Sequence, residues 1–124
     1  MDYFSMEFFD ELARRLNADS EWKKRAAALT AKITLTVTDR DQSVMLAITD
    51  GSVVAKQVKA DEAADFKFEA PYEVWVHVAA GRTDFNTAVI TGKMRFRGSL
   101  LRIMGLQPAM SRLTAIAKDI PAEL

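Results

Sequence analysis

The chain has 124 residues, with 17 Lys and Arg against 17 Asp and Glu, no Cys and a single His. This length allows one domain with a substantial apolar core, and we predict a single domain over residues 1–124. Without Cys there are no disulfides or thiol nucleophiles, one His cannot supply a multi-His metal site, and zero net charge argues against a general nucleic-acid binder.

Two helices are predicted at the start of the chain. Residues Ser5–Asn17 form an amphipathic pattern in which Ser5 can cap the helix and the apolar side chains recur at helical spacing: Phe8, Phe9, Leu12 and Leu16. A second helix can begin at a cap on Asp19 or Ser20 and continue to about Thr30, with Trp22 on its apolar side.

A series of strands follows. Residues 33–38 alternate apolar side chains with Thr, residues 43–49 form a second strand, and Asp50-Gly51 is a typical two-residue hairpin turn into a third strand over 52–59. Residues 60–64 have a helix-like composition, and Phe66 and Phe68 alternate with Lys67 and Glu69 in a fourth strand. Helices followed by an antiparallel meander indicate the α+β class.

The next segment allows two interpretations. Val74, Val76 and Val78 alternate with their neighbours, which favours a strand. Pro71 and Gly81 suit instead the first turn and the end of a helix. The residues alone favour the strand only slightly.

The last third of the chain is predicted to hold three helices and one strand. Asp84 can cap a short helix through Val89, and residues 93–97 alternate between two glycines in a fifth strand. Apolar positions at helical spacing then continue to Ala117. Gly105 and Pro108 interrupt them, which predicts a short helix and a second helix that starts near Pro108.

The sequence resembles the sterol carrier protein 2 domain family over most of its length. The resemblance rests on Ala64-Asp65-Phe66-Lys67-Phe68, on Trp75 and Gly81 at the family's spacing, and on the stretch Ala88-Val89-Ile90-Thr91-Gly92-Lys93-Met94-Arg95-Phe96-Arg97-Gly98. It implies that residues 72–80 form a helix. It also implies a five-stranded, mostly antiparallel sheet covered on one face by helices, with an apolar tunnel between them. The interruption at residues 105–108 departs from the more continuous last helix of many members.

The resemblance further implies non-catalytic binding or transfer of a lipidic ligand: a fatty acid, an acyl-CoA, a sterol or a phospholipid. The residues that we expect to line the tunnel are Trp75, Val78, Phe85, Met94, Phe96, Leu101, Met104, Met110 and Leu113. From their spacing alone, the same residues are better explained as an ordinary core. Two other functions stay open, namely a dimerising or partner-binding scaffold with a collapsed cavity and a small enzyme or enzyme accessory for an amphipathic substrate.

One segment is strongly basic. No acidic residue occurs between Asp84 and Asp119, whereas six basic residues do, and Lys93, Arg95 and Arg97 are predicted on one face of the fifth strand. That face could meet lipid headgroups, the phosphates of an acyl-CoA, an anionic membrane surface or RNA. It is better explained as the solvated face of an edge strand.

The remaining features predict no chemistry. His77 lies four residues after Glu73, so the two can pair on a helix, and we expect no catalytic residue, metal or cofactor. The N-terminal aromatics allow a membrane or dimer contact, although a helix docked on the sheet explains them better. We expect a monomer or homodimer. The acidic first ten residues do not resemble a signal peptide, so we expect a cytoplasmic location.

Overall fold

The computed structural model describes all residues, 1–124, as six helices and one five-stranded sheet. The helices are α1 (Met6–Ala18), α2 (Ser20–Arg25), α3 (Tyr72–Ala79), α4 (Phe85–Ile90), α5 (Leu100–Gly105) and α6 (Gln107–Lys118). The strands are β1 (Ala31–Val37), β2 (Gln42–Thr49), β3 (Ser52–Val58), β4 (Phe66–Ala70) and β5 (Arg95–Arg97). The predicted α+β class with a five-stranded, mostly antiparallel sheet is confirmed.

The strand order is β3-β2-β1-β4-β5, and only the first three strands form the predicted meander. The expectation that the fourth strand continues this meander is wrong, because β4 pairs with β1 in parallel, with Phe66 opposite Ile33. This register places Phe66 and Phe68 on the same face as Ile33 and Leu35, so the apolar face of the sheet stays continuous. β5 then pairs antiparallel with β4.

The connection from β3 to β4 crosses the other face of the sheet. Lys67 projects from that face, and its Nζ donates a hydrogen bond to the carbonyl oxygen of Ala60 at 3.1 Å. The helix-like composition of residues 60–64 does not produce a helix. These residues have to cross the two strands that lie between β3 and β4, which an extended connection can do and a single helical turn cannot.

Helix α1 covers the apolar face of the sheet beside β2 and β3. Its cap is the predicted one, because the Phe8 N–H donates to Ser5 Oγ at 3.1 Å. Phe4, Phe8 and Phe9 are all buried, so they belong to the core and do not form the exposed membrane or dimer patch that was one interpretation of the N-terminal aromatics.

Helix α2 is capped by Asp19 and ends at Arg25, five residues before the predicted end. The chain turns early because it passes under the β2–β3 hairpin. Trp22 Nε1 donates to the carbonyl oxygen of Gly51 at 2.8 Å, and a Cβ on Gly51 would lie 2.7 Å from the carbonyl oxygen of Ala26. Gly51 has a φ of +83°, so both the turn and the close approach require glycine.

The contested segment is helix α3, as the family resemblance implied. Its Trp75 is buried, and the indole Nε1 donates to the carbonyl oxygens of Thr36 at 2.9 Å and Ala70 at 3.1 Å. Alternation of Val with other residues misleads here because apolar or half-buried side chains occupy most sides of this helix. Glu73 is exposed and His77 is half-buried on it, with 3.9 Å between His77 Nε2 and Glu73 Oε1.

The last third follows the predicted order with a shorter strand. Asp84 caps α4 by accepting a hydrogen bond from the Thr87 N–H at 2.7 Å. β5 has three residues where five were predicted, because the N–H groups of Lys93 and Met94 both donate to the Ala88 carbonyl in a turn. The expectation that Lys93 belongs to the strand is therefore wrong. Helices α5 and α6 meet at Leu106, within the predicted interruption.

The side chain of Asn17 is bonded to the outer edge of β3 at Val53. Asn17 Nδ2 donates to the Val53 carbonyl oxygen at 2.8 Å, and the Val53 N–H donates to Asn17 Oδ1 at 2.8 Å. Asn17 therefore satisfies the backbone groups that Val53 would otherwise present to solvent.

Asp19 also connects α2 to α6. Its two carboxylate oxygens accept hydrogen bonds from Arg112 Nε at 2.9 Å and Nη2 at 2.7 Å. These bonds, and the one from the Trp22 N–H, lower the pKa of Asp19 from 3.8 to about 2. The charged carboxylate thus stabilises the fold above about pH 4, and this contribution is lost as the pH falls towards 2.

We predict that Asp19→Asn lowers the free energy of unfolding near neutral pH, since the amide can still cap α2 but cannot pair with the guanidinium of Arg112. The difference from the wild type should shrink between about pH 4 and about pH 2 in urea unfolding. Asp10→Asn, at a carboxylate with no ion pair, is the control. A difference that stays constant over this range would contradict the prediction.

Candidate functional site

A cleft of about 660 Å³ lies between the β4–β5 side of the sheet and helices α4, α5 and α6. Its floor consists of Phe68 and Phe96, which are direct partners across the two strands, with ring centroids 5.1 Å apart. Alternation along β5 places Phe96 on this side and the neighbouring Arg95 and Arg97 on the other. The floor is therefore apolar, although the strand itself is rich in arginine.

The three helices supply the walls. Phe85 and Val89 come from α4, Ile103 and Met104 from α5, and the longest wall is one face of α6. On α6 the cleft side has small or polar residues at helical spacing: Ser111, Thr114, Ala115 and Lys118. Among the larger apolar residues of α6, Met110 also lines the cleft, whereas Leu113 and Ile116 are buried and do not line it. The α6 wall therefore leaves room beside the sheet.

The lining is mainly apolar, with ten hydrophobic residues among sixteen, and a volume of this size fits a small-molecule site. Its two ionisable side chains are Asp84 and Lys118. Hydrogen bonds from the backbone N–H and the side chain of Thr87, together with the positive charge of Lys118, lower the pKa of Asp84. The cleft thus carries one fixed negative and one positive charge beside its apolar surface.

A second, smaller cavity of about 60 Å³ lies deeper in the molecule, between α1, α3, α6 and the sheet. Twelve of its fourteen lining residues are hydrophobic, among them Phe8, Leu35 and Trp75. Three residues line both spaces, namely Phe85, Thr114 and Lys118. Phe85 is the aromatic ring between the two, and it packs edge-on against Phe68 at 5.2 Å and Trp75 at 5.8 Å.

The structure places most of the predicted lining residues at one of these two spaces. Phe85, Phe96, Met104 and Met110 line the cleft. Trp75, Val78 and Leu113, with Phe85, line the smaller cavity. Met94 and Leu101 line neither, since Met94 is buried in the core and Leu101 is 82% exposed. Which of these residues contacts a ligand stays a prediction, as does a continuous tunnel.

The three basic residues predicted for one strand face have different surroundings. Arg97 Nε lies 3.0 Å from Glu69 Oε1 in an ion pair across β4 and β5. Arg95 is exposed on the same face, and Lys93 is exposed in the turn before β5. The proposed headgroup role of these residues stays a prediction.

Sequence reasoning missed much of the cleft wall. The missed lining residues are Phe68, Asp84, Asn86, Val89, Ile90, Leu100, Ile103, Gln107, Ser111, Thr114, Ala115 and Lys118. A signal existed on α6, where small and polar residues recur at positions 107, 111, 114, 115 and 118 beside the apolar stripe. The predicted lining contained large apolar side chains only.

Neither a membrane-spanning helix nor a metal-ligand cluster is found. Every helix is too short or too polar to cross a bilayer. No group of three or more His, Cys, Asp or Glu side chains is placed so that it could hold a metal ion.

A family model and several solved structures are similar to this chain. Residues 9–111 match the sequence model of the SCP-2 sterol transfer family. The crystal structure of a sterol carrier protein 2 is similar at 22% identity and a TM-score of 0.85, covering 97% of this chain and 100% of that one. Comparison with the curated proteins gives no significant match.

Two further solved structures share the fold. A conserved hypothetical protein of Thermus thermophilus, described as possibly a sterol carrier protein, has 22% identity and a TM-score of 0.83, covering 99% of this chain and 92% of that one. The inverting sec-alkylsulfatase from Pseudomonas sp. has 18% identity and a TM-score of 0.63, covering 94% of this chain but 16% of the enzyme. The family match spans most of the sequence, and the chain therefore belongs to the SCP-2 sterol transfer family.

Proposed function

We propose that the protein binds one lipidic molecule in the cleft between α4, α5, α6 and the sheet, and that it transfers this molecule without chemical change. The ligand class is an amphiphile with a long apolar body, such as a fatty acid, an acyl-CoA, a sterol or a phospholipid. Family membership supports lipid binding or transfer. The observation that supports the position of the binding site is the mainly apolar cleft.

The apolar side chains at the cleft support this assignment because several of them have no protein partner to cover them. Ile90, Leu100 and Met104 line the cleft and are between 65% and 84% exposed. Exposed apolar surface of this kind is unfavourable in water and gains free energy when a ligand covers it. An apolar ligand body would bury both itself and these three side chains.

The energy available is sufficient for useful affinity. Each buried methylene contributes about 0.8 kcal/mol, so fifteen methylenes contribute about 12 kcal/mol, from which association costs of about 4 kcal/mol or more are subtracted. Micromolar binding corresponds to about 8 kcal/mol, and additional burial of protein side chains offsets part of those costs. Lipid binding here therefore needs no strong polar contact.

The polar residues of the cleft support orientation of the ligand and not catalysis. Asp84 is engaged in capping α4, and Lys118 lies at the junction of the two cavities. Lys118 provides a positive charge for the carboxylate or phosphate of an amphiphile, whose apolar body would extend along Phe96 and Met104. The proposed polar contact is weak beside the apolar one.

A second candidate is presentation of a lipidic substrate to an enzyme. It is favoured by the likeness to one part of the Pseudomonas alkylsulfatase. Solvent extraction of the purified protein, followed by lipid mass spectrometry, tests both candidates for a bound ligand. Recovery of the intact lipid after incubation supports binding or transfer, whereas turnover by the protein alone would contradict the non-catalytic proposal.

We predict that Ala115→Trp weakens lipid binding. The new side chain extends from the exposed cleft face of α6 and occupies space equivalent to at least two methylenes, which lowers affinity about tenfold or more. Titration of the delipidated protein with a fluorescent fatty acid measures this. Ala18→Trp, at an exposed alanine near the end of α1, is the matched control. Equal affinities for the two variants would place the ligand elsewhere.

We also predict that Phe85 limits the length of ligand that the protein accepts. Removal of its ring in Phe85→Ala should join the cleft to the smaller cavity, so that longer chains gain about fourfold in affinity for each additional buried methylene. Affinities for a series of fatty acids measure the shift. Phe96→Ala removes a ring that lines only the cleft, so it should not change the preferred chain length.

Because Phe85 packs against two aromatic rings, its loss also destabilises the fold by about 3–5 kcal/mol. Phe85→Leu keeps more of that packing, and it should shift the preferred chain length in the same direction by a smaller amount. If neither variant extends the preferred chain length, the two cavities do not form one ligand site.

A further inference from the structure

Four apolar side chains form an exposed surface around the opening of the cleft, which we call the apolar rim: Ile90 is 84% exposed, Leu100 65%, Leu101 82% and Met104 67%. Three of them line the cleft, and Leu101 lies beside them on the outer side of α5. The other exposed large hydrophobic residues are less exposed, namely Val54 on β3 and the chain ends, Met1 and Leu124. Exposed apolar surface is thus concentrated at the cleft opening.

A ligand bound in the cleft would cover the rim residues that line it, but it would not cover Leu101. Leu101 projects away from the cleft, so a bound lipid inside would leave it in water. Helix α5 is only six residues long, and its N-terminal turn presents Leu100 and Leu101 side by side. Adjacent exposed leucines at the end of a short helix are suited to insertion between the headgroups of a bilayer.

The charges near the rim favour an anionic surface. The chain from Phe85 to Lys118, which contains the whole rim, has six basic and no acidic residues. Lys93, three residues beyond Ile90, and Lys118 make no ion pair, whereas Arg102 on α5 is 3.5 Å from Asp65. Asp84 lines the cleft and keeps its negative charge in the cap of α4, close enough to Lys118 to feel its charge, whereas Asp65 is paired with Arg102. Lys93 is thus an exposed basic side chain near the rim without an acidic partner.

We propose that the apolar rim docks on anionic lipid bilayers, with Leu101 and Leu100 inserted and Lys93 at the headgroups. The cleft would then open directly onto the membrane, so that a lipid passes between bilayer and cleft without crossing water. This inference rests on the proposed function for its purpose, but the docking itself is measured separately. The occupant of the rim is a membrane and not a second protein chain, because unpaired lysines beside adjacent leucines complement an anionic lipid surface.

The test is sedimentation of the protein with vesicles of phosphatidylcholine, with and without phosphatidylglycerol. We expect binding only to the anionic vesicles and a decrease as salt is raised. Leu101→Ser should lower vesicle partitioning about tenfold, because it removes most of one buried leucine. Lys93→Gln should lower it about fivefold, as expected for one basic residue at an anionic surface.

Matched controls come from β3, where Val54 is 56% exposed and Lys56 is exposed without an ion pair. Val54→Ser and Lys56→Gln make the same chemical changes away from the rim and should leave partitioning unchanged. Binding that is equal for Leu101→Ser and Val54→Ser would overturn the proposal. So would binding that does not depend on the anionic lipid.

The two proposals fail in different ways. Leu101 does not line the cleft, so Leu101→Ser should keep the wild-type affinity for a fluorescent fatty acid in solution. Normal fatty-acid binding without any vesicle binding by the wild type would overturn docking and leave the proposed function intact. If Leu101→Ser instead changes the sedimentation coefficient in the absence of vesicles, the rim holds two copies of the chain together, and docking on membranes is wrong.

Discussion

The structure depends on the need to cover one apolar face of a five-stranded sheet. Strands lie about 4.8 Å apart, so five of them present a surface about 20 Å wide, whereas one helix covers about 10 Å. Helix α1 covers the side formed by β2 and β3. Phe68 and Phe96 on the other side need a second cover, which the short helices α4, α5 and α6 provide incompletely. The cleft is the part of this face that no helix fills.

The two sides of the cleft are held with different strength. Helix α6 is anchored to α2 by the two hydrogen bonds between Arg112 and Asp19, and its Leu113 and Ile116 are buried. Helix α5 is anchored mainly through Ile103 and by an ion pair at 3.5 Å, and most of its apolar residues are exposed. The interruption near Leu106 separates a firmly packed wall from a lightly packed one, so access to the cleft is most readily changed by movement of α5.

The sequence predicted most elements because their boundaries have local causes. Ser5 and Asp84 cap helices as expected, and Asp50-Gly51 forms the hairpin turn. The parallel pairing of β4 was missed because it depends on where residues 59–65 cross the sheet. Within the site, Met94 and Leu101 have equally apolar side chains, yet one is in the core and the other in solvent. Periodicity identifies a buried face of a helix but does not show whether protein atoms or a ligand fill the space beside it.

The side chain of Asn17 has a consequence for assembly. A sheet edge whose N–H and C=O groups are free is a template for a strand from another molecule, and such contacts lead to open-ended polymers. Here Asn17 takes both backbone groups of Val53 near the start of one edge strand, and at the other edge β5 is only three residues long. Each border of the sheet therefore offers a further strand fewer free backbone groups than a long, open edge strand would. Exposed apolar side chains around the cleft are thus combined with sheet edges that discourage association strand by strand.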